Sequence, residues 1–454
     1  MLTVMKTKSA MLKSLLLVLG LMFGWTAWAQ QSSLQYWRPY DKRGINVFET
    51  SKEDTVIYDG LKVRLGAGFT QGYQNLKHSN GLATPALYEM GGGFPLAQAN
   101  FNIDVQLYDG ISLNLVSYMA SHHHNEFWVK GGYLQIDKVG FLKSELFDNL
   151  WKNLTLKVGH MEVNYGDAHF RRSDGGHTLW NPWVENNIMD AFTTEIGAEL
   201  YWKKDGIILM GGFTDGEIQG NIANPSTPDG AKRKPNLYAK VGYDKQVNDN
   251  LRVRLTASAV TTKSSASNTL FGGDRTGSNY QYVMENAPVT LTGNAFSGRF
   301  NPGFRDNLTS VVVNPFVKFN GLEVFGTFEW AKGNSAFENG EGTTYAAQDD
   351  RKAQQTAIEA LYRFGKEEQF YVGARYITVN ATMAEGYTAA AAGTRYDVEI
   401  DRTSIGAGWF ITRNILLKGE YVTQNYDGFR NTGPNNRFFD GKFDGFVIQG
   451  AISF

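Results

Sequence analysis

The chain has 454 residues, with 44 basic and 45 acidic side chains, 50 Gly, 10 Trp, 22 Tyr, 29 Phe and no Cys. Without cysteine there is no disulfide framework, no thiolate-held zinc or iron–sulfur cluster and no lipidated N-terminal Cys. A formal charge of −1 excludes the basic surplus that attracts nucleic acid, and the Gly content exceeds the ~7% usual in soluble domains.

The first thirteen residues carry Lys6, Lys8 and Lys13 and no acid, Ser14 to Trp25 is almost purely apolar, and Ala27-Trp28-Ala29 has the small-x-small pattern of a cleavage site. This predicts a signal peptide over 1–29. The apolar run is shorter than the ~20 residues of a spanning helix. No later stretch is apolar enough to span as a helix, in keeping with a mean hydropathy of −0.33. An exported chain of this kind is periplasmic, secreted or an outer-membrane barrel.

Hydrophobic period separates these. Leu61, Val63, Leu65, Ala67 and Phe69 alternate with Lys62, Arg64, Gly66, Gly68 and Thr70, and Leu251, Val253 and Leu255 alternate with Arg252, Arg254 and Thr256. Period two marks strands with two unlike faces. Asp109-Gly110 is a hairpin signal between two such runs. Further tight turns are expected at 203–206, 244–250, 320–321, 365–369 and 412–414. Long polar connections lie between them, near 74–98, 166–192, 215–235, 261–307, 331–354, 380–396 and 424–442. Alternating short and long connections predict a transmembrane barrel with short periplasmic turns and long extracellular loops.

Strands are expected near 60–72, 99–108, 111–119, 126–137, 154–165, 193–202, 207–214, 236–244, 251–260, 308–319, 322–330, 355–364, 370–379, 397–410, 415–423 and 443–454. The fold class is therefore all-β, an antiparallel barrel of about sixteen strands. Two irregular connections leave eighteen as the alternative: 120–125 is short where a loop is due, and 138–153 is long where a turn is due. Leu142, Leu146 and Leu150 recur there at helical spacing, predicting a small helix packed at the periplasmic rim. The chain ends on an alternating segment closed by Phe454, which resembles the assembly signal of outer-membrane barrels.

The segments Tyr36-Trp37-Arg38-Pro39-Tyr40-Asp41-Lys42-Arg43-Gly44-Ile45-Asn46-Val47-Phe48-Glu49 and Gly159-His160-Met161-Glu162-Val163-Asn164-Tyr165-Gly166-Asp167-Ala168-His169-Phe170-Arg171-Arg172 resemble those of porin-like outer-membrane proteins from the Bacteroidota. The plan is similar to that of the phosphate-selective porin superfamily, without its dense lysine ladder. The resemblance implies a porin.

With the apolar face to lipid, the lumen-lining basic set includes Arg64, Arg252, Arg254 and Arg375, alongside Lys62, Lys130, Lys157, Lys240, Lys318, Arg363 and Lys418. Eight inward acids oppose them: Asp104, Glu195, Glu199, Asp244, Glu323, Glu329, Glu359 and Glu420. A ring of Lys and Arg leans a pore toward anions. The connection between the fifth and sixth strands holds Asp167, Arg171, Arg172, Asp174, Trp180, Asn181-Pro182, Trp183 and Glu185. It is expected to fold inward as the pore constriction, with Arg171, Arg172, Asp167 and Asp174 at the eyelet.

Weaker features are His122-His123-His124 as a metal site and His160, His169 and His177 with Ser173 as an esterase-like set. Neither has the ligand geometry or nucleophile elbow its chemistry needs. The reading is a signal peptide (1–29), a short periplasmic segment or small plug (30–59) and a barrel (60–454), with no enzyme activity, metal or cofactor. It passes small hydrophilic solutes and contacts outer-membrane lipid, no nucleic acid and, as a homotrimer, its own copies. The alternative is a plugged structural or accessory barrel that binds a protein partner through its loops.

Overall fold

Period-two alternation closes on itself in the structure, a computed structural model. It describes residues 32–454 apart from 84–86, 121, 124–126, 173, 217–232, 266–267, 340–347 and 386–392. The expected signal peptide, His124 and Ser173 lie outside the described residues. Sixteen strands follow in order: β1 (Lys62–Ser79), β2 (Gln98–Tyr108), β3 (Ile111–Ala120), β4 (Trp128–Ile136), β5 (Leu154–Glu162), β6 (Thr194–Lys204), β7 (Ile207–Thr214) and β8 (Asn236–Asn248), then β9 (Leu251–Thr262), β10 (Asn307–Phe319), β11 (Leu322–Asn334), β12 (Arg351–Phe364), β13 (Phe370–Glu385), β14 (Thr394–Thr412), β15 (Ile415–Asp427) and β16 (Gly441–Ser453). Each pairs antiparallel with its chain neighbours, and β16 returns to β1, with Phe69 opposite Ile452 and Asn75 opposite Phe446.

The alternation is inverted relative to a soluble protein. On β9, Arg254, Thr256 and Ser258 are buried while Leu255 is exposed; on β12, Glu359 and Arg363 are buried while Ile358 and Tyr362 are exposed. A polar interior behind an apolar outer band is the arrangement that spans a bilayer. Tyr362, Phe364, Phe370 and Trp409 stack in a row beside the 365–369 turn, a length of aromatic girdle. Among the described residues no helix is long and apolar enough to cross a membrane.

Turn chemistry closes the hairpins. Gly110 takes φ +71°, and Asp205-Gly206 take φ +53° and +87°, the left-handed pair of a two-residue hairpin. The wall is uneven in height: β2 to β7 run 8 to 11 residues, whereas β8 to β16 run 12 to 19.

Three local expectations are corrected. β1, β13 and β14 run past their expected ends to Ser79, Glu385 and Thr394, because ladder pairing such as Thr382 with Asp397 continues into polar sequence. β5 stops at Glu162, where Val163 to Tyr165 leave the wall for the interior; Tyr165 Oη and Ser310 Oγ of β10 share a 2.6 Å hydrogen bond. The helix near 142–150 forms as α1 (Glu145–Trp151), tied to β4 by Trp151 Nε1, which donates to the Ile136 carbonyl at 3.2 Å. Its Leu146 and Leu150 remain exposed, like Phe141 and Leu142, so they do not pack on the rim.

The interior is furnished by segments from outside the wall. Residues 34–454 are one compact unit, and 34–59 enter the barrel. Tyr40 Oη donates to Asp104 of β2 at 3.1 Å, and Asn46 Nδ2 to Glu323 of β11 at 2.8 Å. Phe48 packs between Phe170 and Phe316, and Glu49 pairs with Arg254 at 2.8 Å and Lys240 at 3.2 Å.

Candidate functional site

The chain between β5 and β6, residues 163–193, crosses the lumen and touches nearly every wall strand. Its first turn is set by Asp167, whose N–H donates to Asn314 of β10, while the Gly166 N–H donates to Ser258 of β9. Asp174 Oδ1 accepts from the N–H groups of Gly176 and His177, each at 2.9 Å, and Asn181 Oδ1 from Trp183 N–H at 3.0 Å. These Asx turns compact the segment without help from the wall. Gly176 passes so close to β2 that an added Cβ would lie 2.7 Å from the Ala99 carbonyl carbon.

Polar contacts then carry it around the ring. Asp174 accepts from Asn100 of β2 at 3.0 Å and pairs with Lys130 of β4 at 2.9 Å. Thr178 meets Thr70 of β1, and His177 shares a 2.7 Å hydrogen bond with Ser453 of β16. Lys418 Nζ of β15 donates to the carbonyls of Thr178, Asn181 and Trp183. Arg375 of β13 donates to the Glu185 carbonyl, Arg402 of β14 to that of Asn186, and Gln355 of β12 to that of Met189.

The charges form closed nodes. Arg172 lies 2.7 Å from Glu185, 2.9 Å from Asp190 and 2.7 Å from Asp274, and Arg299 joins Glu185 and Asp274 at 3.0 Å each. Burial alone would push Glu185 up; Arg172 and Arg299 overcome it and hold the carboxyl below the usual range. This node couples 163–193 to the connection between β9 and β10, whose Tyr280, Val283 and Met284 are fully buried. A second node joins Asp167 and Glu49 to Arg254 and Lys240. Arg171 pairs with Glu359 and lies 4.7 Å over the Phe325 ring.

What stays open is eccentric. A cavity of about 200 Å³ lies between the inner faces of β2 to β6 on one side and residues 36–40, 164–170 and 177–180 on the other. Its lining runs from Gln135 and Tyr201, near the turn ends of β4 and β6, to Lys130 and Thr194 near the opposite ends. It is thus a tall crevice parallel to the strands. A separate recess of about 740 Å³ opens at the turn end beside Lys42, Asn46, Arg252, Lys318 and Arg363.

Asp167, Arg171, Arg172 and Asp174 are buried in ion pairs and do not line the crevice. Arg254 and Arg375 are buried behind the crossing segment, Arg252 pairs with Asp244 at 2.7 Å, and Arg64 lies 5.5 Å over the Tyr40 ring. The crevice instead presents Arg38, Lys130, Lys157, Glu162, His169, His177 and Trp180. Of the expected inward set, Lys130, Lys157 and Glu199 stand there; Arg38 and its neighbours were missed. Their signal was available in the aromatic and cationic density of Tyr36-Trp37-Arg38-Pro39-Tyr40, which is unusual for a mere linker. His160 bonds Thr194 and His177 bonds Ser453, so the histidines do not assemble as a triad. Among the described residues no cluster could hold a metal.

No protein-family model matches the chain, and no curated protein matches it. Among solved structures it is similar to the anion-selective porin from Comamonas acidovorans, at 11% identity over 87% of this chain and 100% of that one, with a TM-score of 0.48. It is similar to the outer membrane channel DcaP of Acinetobacter baumannii at 12% identity over 88% and 99%, with a TM-score of 0.48. OmpT of Vibrio cholerae, an outer membrane protein, aligns at 11% identity over 88% and 99%, with a TM-score of 0.46.

Proposed function

We propose that this protein is an outer-membrane diffusion channel of a Gram-negative bacterium, not an enzyme, and that small hydrophilic solutes pass along the crevice beside β2 to β6. The supporting observation is the crevice itself, which runs along the wall and is bordered by polar side chains. Residues 163–193 are the constriction in this reading. Asp167, Arg171, Arg172 and Asp174 hold that segment in place, while His169, His177 and Trp180 form its inner edge. Arg252 and Arg363 line the recess at the turn end, which we place on the periplasmic side. The cationic rim of both spaces supports an anion-leaning pore. The low wall from β2 to β7, barely the ~9–11 residues a spanning strand needs, supports a homotrimer in which protein covers that face.

A specific observation also favours a second reading, a plugged accessory barrel: residues 34–59 and 163–193 occupy much of the interior through buried ion pairs. Planar-bilayer recording separates the two. Stable conductance steps from refolded, heat-modifiable protein are expected; silence from such protein would overturn the channel reading in favour of the plugged one.

A further inference from the structure

We propose that the crevice contains a binding site for a small organic anion bearing a planar ring, an aromatic carboxylate in its simplest form. The inference deepens the channel reading, since it takes the crevice as the solute's path, but it concerns binding and can be tested without transport.

The crevice has an excess of donors over acceptors. Of its three long cations, only Lys130 forms a close ion pair among the described residues, with Glu162 at 2.7 Å and Asp174 at 2.9 Å. Arg38 spends Nε and Nη2 on the Gly44 carbonyl, at 3.0 and 2.7 Å, and meets no carboxylate among the described residues. Lys157 makes no hydrogen bond or ion pair among them; it lies 5.1 Å from the Tyr133 ring and 5.3 Å from the Tyr201 ring. The buried Nε1–H of Trp37 also has no acceptor among the described residues. Nor do the crevice's own acids supply one. Glu162 is held by Lys130, and Glu199, opposite Lys157 in the β5–β6 ladder, makes its hydrogen bonds with the Asn164 N–H, Tyr201 and Tyr238 instead.

Burial pulls the Arg38 guanidinium down to about 9, against the more distant pull of Glu162 and Glu49, as expected of a charge that lacks a counter-ion. An arriving carboxylate would supply acceptors to groups that otherwise lack them. Charge-assisted bonds of this kind are the strong ones, and the guanidinium fork matches a carboxylate.

The rest of the lining selects the remainder of the ligand. Arg38 lies 3.5 Å over the Trp180 ring, Trp180 stacks on Tyr40 at 6.4 Å, and Tyr40 meets Trp37 edge-on at 5.4 Å. Tyr133 and Tyr201 stand on the opposite wall. Aromatic faces and edges favour a flat ring, and about 200 Å³ limits the occupant to a small molecule. Inorganic phosphate would satisfy the donors without contacting Trp37 and Tyr133, the half-buried rings of the lining; a neutral ring would do the reverse.

The test is isothermal titration of refolded barrel in detergent with benzoate, inorganic phosphate and benzyl alcohol. Saturable benzoate binding is expected, at least tenfold tighter than either control, and weakened roughly tenfold or more in Lys157→Gln and Arg38→Gln. Folding of each variant is checked by heat-modifiability, and Lys157→Gln suffices if Arg38→Gln fails to fold. Absent binding, equal binding of phosphate, or benzoate affinity unchanged in folded Lys157→Gln would each overturn the proposal. Benzoate binding by protein that is silent in bilayers would sustain the site while removing the channel reading.

Discussion

Asp167 receives Nε and Nη2 of Arg254, each at 2.8 Å, so a residue on the crossing segment is clasped by a wall strand 87 positions later in the chain. Glu49 and Lys240 complete the clasp. The lumen's N-terminal filler and its crossing segment therefore share one electrostatic joint.

Breaking that joint should be costly. Asp167→Ala leaves the buried Arg254 to Glu49 and Asp244 and the buried Lys240 to Glu49 alone among carboxylates, and removing one member of a buried ion cluster costs about 3–5 kcal/mol. Urea unfolding of the refolded barrel, followed by Trp fluorescence, should show that loss. Glu49→Ala should be destabilising too, and the double variant less than additive. A loss under about 1 kcal/mol for Asp167→Ala would mean that the clasp does not hold the segment.

Charge selectivity should follow the crevice rather than the buried nodes. Lys157→Gln is expected to move the reversal potential in a salt gradient toward cations, because a cation on a low-dielectric wall acts at close range. Arg171→Ala and Arg172→Ala should mainly increase current noise and lower stability, with a smaller shift. If Arg171→Ala and Arg172→Ala produced the larger shift, the route would pass the crossing segment on its other side.

Acid should loosen the crossing segment through His177. Burial draws its imidazole down to about 4 from the ordinary 6.5, against the opposing pull of Asp174. The unfolded chain thus takes up the proton first. The contribution of the neutral ring is complete above 6.5 and is lost as pH falls toward 4, at up to about 1.4 kcal/mol per pH unit. Unfolding midpoints at pH 7.5, 5.5 and 4.5 should decline, and His177→Asn should flatten that part of the decline. An identical slope in His177→Asn would assign the acid sensitivity to the carboxylates.

The low wall should report on assembly. Leu209 on β7 and Ile405 on β14 both face outward. Arg at either position should destabilise the barrel, by about 2–4 kcal/mol if it lies at the bilayer midplane. Light scattering in detergent should show a trimer that Leu209→Arg, but not Ile405→Arg, converts to monomer. A monomeric parent protein would remove the trimer.

The wall was legible because it obeys one simple constraint. Every strand must turn alternate residues to lipid and to the lumen, so Leu251, Val253 and Leu255 against Arg252, Arg254 and Thr256 could be oriented without tertiary knowledge. Strand ends were less legible. Beyond the apolar band, as from Thr382 to Glu385, backbone pairing continues while the hydrophobic signal has ended. The inward course of 163–193 could be read from its Trp and charge content, but not which charges would face open space. Arg172 and Asp274 are about a hundred residues apart and meet only after two connections fold into the same lumen. The sequence places Arg38 only within a periplasmic segment or small plug, because a segment ahead of the first strand carries no periodicity that would orient its side chains.

The crossing segment is also a mechanical member. A hollow cylinder of sixteen strands flattens easily, since ovalisation bends the sheet without breaking its ladder. Residues 163–193, fastened to β1, β2 and β4 on one side and to β9, β10, β12, β13 and β15 on the other, act as a tie-beam across that section. Lateral pressure from the bilayer is then borne by the beam, and the crevice between it and β2 to β6 is where squeezing would change the bore.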